Sequence, residues 1–267
     1  MSLKERIVIG VLWVFAGIVF AMLYGPAILV AVFSFFDHHG SLIDPSTFSL
    51  KHYAGLLSDD AILSALSNTV EVAVVSVVIA MVFAVGLAYY MRLDKRRGRS
   101  YVEFVIFLPF VLPAIITGIS LLTVFRELGV DRSLFTVAVG HIVIVVGIIY
   151  RMVMVRLEAL ENSQIEASAD LGATHFQTFR LVVAPQLVSA MVTGALLAFT
   201  ISFDETLVTF FMIGDEPTLP LRLWAMMRVG FSPEINALVT VVLVGTMLLA
   251  ASGALLMRRS IASKSAA

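Results

Sequence analysis

Apolar residues run through this chain in long blocks separated by short polar gaps. A helix that crosses a bilayer needs about 20 mostly apolar residues, because the hydrocarbon core is ~30 Å thick and each residue rises ~1.5 Å. Six blocks meet or approach that length, at residues 7–36, 66–91, 101–125, 134–155, 185–202 and 236–257. The pattern predicts an all-α membrane protein of six transmembrane helices, forming one domain over residues 1–267. A membrane β-barrel would show ten-residue segments of alternating polarity instead.

Punctuation inside the blocks refines this picture. Gly25-Pro26 interrupts the first block, so a kink or an early change of direction is expected there. Lys4 and Arg6 precede that block, as in a cleaved leader. The block is too long for a leader's apolar core and has no clear small-x-small cleavage site, so a retained helix is expected. Pro109 and Pro113 in the third block imply a bent helix with freed carbonyls. Residues 37–65 and 203–235 read as loops, the second with a short interfacial helix around Trp224, Met226 and Met227.

Composition narrows the chemistry. Sixty per cent of the residues are hydrophobic and 14% are charged, against about 25% charged in an ordinary soluble domain. There is no cysteine, which removes disulfides, thiol nucleophiles and thiolate metal ligands. The five histidines are His38, His39, His52, His141 and His175; no two share a predicted helix face at metal-ligand spacing. No metal site and no catalytic residue is expected. His141 lies inside the fourth block, where it either bonds to a neighbouring helix or lines a path.

Charge placement orients the chain. With both termini inside, thirteen of the eighteen Lys and Arg fall on the inner side. Positive charge favours the cytoplasmic side, so the expected orientation is N-in, C-in. That places residues 156–184 in the cytoplasm. A helix connector needs only a few residues, yet this one takes about thirty.

The local code of that segment is specific. Ser163-x-x-Glu166 reads as a capping box that starts a helix, and Gly172 as the left-handed residue that ends it. Thr174-x-x-Gln177 reads as a second capping box, opening a helix with Phe176, Phe179 and Val183 on one stripe, suited to lie along the membrane surface. Pro185 then marks the entry to the fifth span. Two short capped helices are expected to form a compact knob.

The segment resembles the "EAA" motif of the membrane subunits of ABC importers, which reads Glu-Ala-Ala, three residues, Gly, nine residues, Ile-x-Leu-Pro. Glu166, Ala167, Gly172 and Pro185 match in register; Ser168 stands for the second Ala, Val182 for Ile and Ala184 for Leu. The resemblance implies the permease fold of type I ABC importers. It also implies a coupling helix, here Glu166, Ala167, Ser168, Asp170, Leu171, Gly172 and Ala173, seated in a cleft of an ATPase subunit. A P-loop requires Gly-Lys before Ser or Thr, and no Gly-Lys pair occurs in the chain. ATP and Mg²⁺ are therefore expected on partner ATPase subunits, with no cofactor in this chain.

Carboxylates near the membrane are the remaining chemical signal. Charged groups at mid-depth cost ~2.5 kcal/mol or more, so each invites a functional reading. Glu103 sits beside the basic run 92–99 and reads as interfacial. Glu71 lies early in the second span, where it lines the path or snorkels to the surface. Asp204-Glu205 closes the fifth span, where the helix dipole is already negative. That arrangement either attracts a passing cation or is a plain pair at a loop edge.

Further segments resemble the second permease of spermidine/putrescine importers: Phe48 to Tyr53, Ser67-Asn68-Thr69, Phe203-Asp204-Glu205, Leu219-Pro220-Leu221 and Ser232 to Leu238. The likeness covers nearly the whole chain. It implies a small cationic solute, a homologous second permease, two ATPase chains, an external substrate-binding protein and a bacterial inner-membrane location, with no nucleic-acid partner. It places Phe203, Asp204, Glu205 and Glu71 as path candidates. Related permeases carry iron, thiamine, opines or amino-acid-like amines on the same scaffold. A stand-alone secondary transporter is the competing class, but it predicts inverted repeats or mid-membrane charge pairs, and the sequence shows neither.

Overall fold

A computed structural model describes residues 3–39, 42–93, 98–230 and 232–265. Residues 94–97 of the basic run, and the side chains of His38, His39, Arg258, Arg259 and Lys264, lie outside that description. The described chain is almost entirely helical. Five helices are long and apolar enough to cross a membrane, or six when one sharply bent pair counts as a span.

The first helix, α1 (Leu3–Phe33), runs unbroken through Gly25-Pro26, contrary to the expected change of direction there. One lost backbone bond does not end so long an apolar helix. The expected loop after it is structured. Strands β1 (Asp37–His39) and β2 (Leu42–Asp44) form an antiparallel hairpin that pairs Asp37 with Asp44, and α2 (Lys51–Ser58) follows. Next, α3 (Asp60–Leu93) begins six residues before the apolar block. The Asp59 carboxylate accounts for the early start: it accepts from the backbone N–H groups of Ala61 (2.9 Å) and Ile62 (3.1 Å).

The third apolar block is two helices, α4 (Arg99–Val111) and α5 (Ala114–Glu127), set at 104°. This corrects the expected single bent helix. Proline disfavours helical torsions in the residue before it, and Leu112, directly before Pro113, is extended at φ −68°, ψ 143°. Then α6 (Leu134–Glu158) opens on a capping box of Ser133 and Thr136. After α6 come α7 (Asn162–Asp170) and α8 (His175–Thr178), a π turn over Phe179–Val183, and α9 (Ala184–Asp204). Residues 203–235, expected to be mostly loop, contain α10 (Leu207–Met212) and α11 (Leu219–Val229) before α12 (Pro233–Ser265).

Contacts divide the chain into two compact units. One comprises Met1–Leu63 with Ala225–Met247. Here His52 is buried on α2, with Nε2 2.9 Å from Asp37 Oδ1 and Nδ1 3.3 Å from Glu234 Oε1. Lys51 Nζ donates to Asp37 Oδ2 at 2.5 Å. That bond, with the His52 contact adding to it, holds the Asp37 carboxyl below its usual range.

The second unit comprises Ser64–Trp224 with Leu248–Ala267. Its core centres on α6. Val145, Ile149 and Val153 of α6 pack with Ala80, Ala84 and Ala88 of α3 and with Leu187 and Ala198 of α9. Alanines at every fourth position let α3 approach closely, as small residues do where lipid supplies no hydrophobic drive. Ser76 Oγ donates to the Ala138 carbonyl at 3.0 Å and joins α3 to α6.

Candidate coupling segment and membrane path

Helix α7 starts and stops within nine residues. Its start differs from expectation. Glu161 is the N-cap and Ser163 is already inside the helix, its Oγ donating to Glu161 Oε2 at 3.3 Å, so Ser163-Glu166 is not a capping box. Its stop is as the sequence implies. Gly172 has φ +76°; its N–H donates to the Ala169 carbonyl (2.9 Å) and that of Ala173 to the Ser168 carbonyl (3.1 Å). This pair of bonds is the Schellman closure, which needs a left-handed residue at the glycine position.

The Thr174–Gln177 capping box is present, with bonds of 2.8 and 3.3 Å. The helix it opens is not a separate surface helix. It continues through the π turn into the fifth span as one helix, His175–Asp204. Pro185 has no N–H for the Leu181 carbonyl four residues earlier, and the wider turn sits directly before it. The predicted membrane-facing stripe also divides. Val183 is fully buried, Phe179 packs on Tyr89 with ring centres 4.9 Å apart, and Phe176 is exposed. Core packing by α3 and α6 claims the first two.

Anchors hold the segment from several sides. Arg92, at the end of α3, donates to the Leu160 carbonyl (2.8 Å) and to Asn162 Oδ1 (3.1 Å). Gln186 Nε2 donates to Gln164 Oε1 (2.7 Å). Ser168, the residue that departs from the motif, is buried with its Oγ 3.0 Å from Thr178 Oγ1, so it ties α7 to α8. Glu166, Ala167, Asp170 and Gly172 face outward, and Leu171 is 89% exposed. Two apolar side chains, Leu171 and Phe176, thus flank the glycine turn on an otherwise polar knob.

The path candidates sit at a break in the fifth span. Asp204 is the last residue of α9 and is exposed; Phe203, half-buried, packs against Phe199 with ring centres 5.8 Å apart in a tilted pair. Glu205 Oε1 accepts from the Val208 backbone N–H at 2.9 Å and so caps α10. The two acids therefore do not lead into a loop, as expected, but mark a turn from α9 into α10, a helix buried on one face. Glu71 is exposed on α3 and makes no hydrogen bond or ion pair to them among the described residues. Glu103 pairs with Arg99 Nε at 2.8 Å and accepts from Tyr150 Oη at 3.4 Å, which fits its interfacial reading.

Helix α10 was not legible as a helix, and it is the packed centre of this end of the unit. Val208, Thr209 and Met212 are fully buried. It lies on α5 and α6 where both carry glycine: a Cβ on Gly118 would meet Phe211 Cδ2 at 2.8 Å, and one on Gly140 would meet Val208 Cγ1 at 2.7 Å. His141, buried on α6, reaches Ser202 Oγ on α9 at 2.7 Å and Thr209 Oγ1 on α10 at 2.9 Å. Thr136 Oγ1 donates to the Met212 carbonyl at 2.7 Å. A histidine inside an apolar block was the one sequence signal for this cluster.

The separated segments of subfamily likeness meet in pairs. The Leu219 N–H donates to Thr69 Oγ1 at 2.7 Å, and Asn68 Nδ2 donates to the Pro217 carbonyl at 3.2 Å. In the other unit, His52 reaches Glu234.

This arrangement is that of a helical chain with several membrane-length apolar helices, an anchored polar knob and a sharply bent helix pair. Residues 76–263 match the family of binding-protein-dependent transport system inner membrane components, and the chain belongs to that family. It is an ABC-importer permease subunit of the inner membrane and not an enzyme; ATP is hydrolysed on a separate subunit. The chain is 32% identical over 233 residues to the putrescine transport system permease protein of Escherichia coli, covering 84% of this chain and 82% of that one. It is 31% identical over 241 residues to the spermidine/putrescine transport system permease protein of Escherichia coli, covering 90% and 91%. Its fold is similar to that of a bacterial ABC transporter involved in the import of the acidic polysaccharide alginate (TM-score 0.72, 20% identity, 94% of this chain and 97% of that chain).

Proposed function

We propose that this chain forms part of the translocation path of an ATP-driven polyamine importer. The observation that carries the substrate is the 31–32% identity, over more than four fifths of the chain, to two permeases of putrescine and spermidine transport. The acids at the α9–α10 break suit a polycationic solute. The working assembly contains this chain, a homologous permease, two ATPase subunits that bind ATP and Mg²⁺, and an external binding protein. The chain acts as one permease domain of six spans, with α4 and α5 counted as one and both termini inside; the placement of thirteen of eighteen Lys and Arg supports that orientation.

The knob from Glu166 to Ala173 is the mechanical input. It is anchored to α3 and α9 and exposes Leu171 and Phe176 beside Gly172, a form suited to seating in a cleft. ATP-driven closure of the ATPase pair then moves α7 and, through α8, the fifth span.

Reconstitution tests the reading. The assembled complex in vesicles should take up radiolabelled spermidine or putrescine only with ATP and the binding protein. Uptake by this chain alone, or ATP-dependent uptake of a non-amine solute in its place, overturns it.

A further inference from the structure

The imidazole of His141 is buried with a hydroxyl at each ring nitrogen, Ser202 Oγ 2.7 Å from Nδ1 and Thr209 Oγ1 2.9 Å from Nε2. A hydroxyl carries one hydrogen, and a neutral imidazole carries one N–H and one lone pair. The Thr209 hydrogen is already placed, because Thr209 Oγ1 donates to the Glu205 carbonyl at 2.8 Å. Thr209 therefore accepts from the ring, and Nε2 carries the proton. Nδ1 is then a lone pair that accepts from Ser202 Oγ, which has no other partner among the described residues.

The alternatives leave a buried group unmatched. With the proton on Nδ1, or on both nitrogens, the Ser202 hydrogen has no acceptor, and a buried unpaired hydroxyl is costly. The three bonds thus run one way, from Ser202 to His141, to Thr209, to Glu205.

That chain ends on the residue that turns α9 into α10. Glu205 is extended, at φ −70°, ψ 110°. Its carbonyl takes the Thr209 hydroxyl and its carboxylate takes the Val208 N–H at 2.9 Å, so α10 holds both of its polar ends. His141 fixes Thr209 against α6, beside the close approach of Gly140 and Val208. A neutral ring also adds no positive charge near Asp204 and Glu205, neither of which pairs with a Lys or Arg among the described residues.

We propose that His141 is a positioning residue of the path: as the neutral Nε2–H tautomer it holds the Asp204–Glu205 turn against α6 and leaves the acid pair uncompensated for a cation. This rests on the path role proposed for the two acids.

Two measurements on the assembled complex in vesicles test it. With this chain alone labelled by ¹⁵N-histidine, the solid-state NMR signals lost in His141→Gln belong to His141. They should report a neutral ring protonated at Nε2; an imidazolium or an Nδ1–H ring overturns the assignment. The second measurement is spermidine imported per ATP hydrolysed, a ratio from which the amount of folded complex cancels. A Gln amide nitrogen stands near the place of Nε2 and can still donate to Thr209, whereas an Asn amide reaches only Ser202. His141→Asn should lower the ratio several-fold, and His141→Gln should keep most of it. On an Asp204→Asn background, His141→Asn should lower it no further. A wild-type ratio in His141→Asn, an equal fall in both variants, or an undiminished further fall on the Asp204→Asn background overturns the positioning role. Wild-type complex that imports no polyamine counts against the polyamine reading, whereas the wrong tautomer counts against this inference alone.

Discussion

His141 Nδ1 lies 2.7 Å from Ser202 Oγ, which joins the middle of α6 to the last turn of α9. Through Nε2 the same ring reaches Thr209, so one side chain bridges both sides of the break that holds Asp204 and Glu205. A neutral imidazole donates at one nitrogen and accepts at the other, and hydroxyls fill either role. His141→Ala leaves the buried Ser202 hydroxyl without its partner, at a cost of about 1–3 kcal/mol where nothing replaces it, while Thr209 Oγ1 still donates to the Glu205 carbonyl at 2.8 Å. The thermal midpoint of the purified complex should fall, and uptake should fall with it. An unchanged midpoint removes His141 as the bridge.

Asp204 and Glu205 are adjacent but have different roles. Glu205 caps α10, so Glu205→Ala should cost about 1 kcal/mol of stability, the usual value of a lost cap. Asp204 is exposed and its carboxylate makes no hydrogen bond or ion pair among the described residues, so under the proposed path role Asp204→Asn should leave the midpoint unchanged and lower polyamine uptake. Paired melting and uptake measurements separate them. Equal behaviour of the two variants contradicts this division.

Gly172 separates backbone strain from partner contact. A Cβ there meets nothing within 4 Å in this chain, but φ +76° penalises any other residue by about 1–2 kcal/mol. Gly172→Ala should therefore weaken α7 modestly, while Gly172→Trp should also obstruct the ATPase. The expected signature is ATPase activity no longer stimulated by loaded binding protein. Normal stimulated transport by the Trp variant rejects the coupling assignment.

The Ser168–Thr178 contact replaces what an alanine at that motif position would offer. Ser168→Ala leaves Thr178 Oγ1 buried and without its partner, whereas Ser168→Ala with Thr178→Val removes both polar groups. The double variant should recover stability relative to the single one, by roughly the 1–3 kcal/mol of an unsatisfied buried group. A double-mutant cycle by thermal unfolding checks this; additive losses would show that the hydroxyls do not interact.

Much of the segment from Glu166 to Gly172 was legible because its signals are local. A left-handed glycine is written in a few residues, and so is the Thr174–Gln177 box. The Ser163–Glu166 box misled, since Glu161 two residues earlier starts the helix. The fate of Phe176, Phe179 and Val183 was not legible, because equal spacing says nothing about which ring α3 will receive.

The chain's sequence alone determined its class, its apolar spans and its lack of ATP chemistry, since apolar length, charge bias and a missing Gly-Lys pair need no folded partner to be read. Only the tertiary structure decided that Leu112-Pro113 turns a span by 104°, that α10 is buried at Gly118 and Gly140, and that His141 closes on Ser202 and Thr209. Those are contacts between segments far apart in the chain. Which glycine meets which side chain is set by packing, and packing has no period in the sequence.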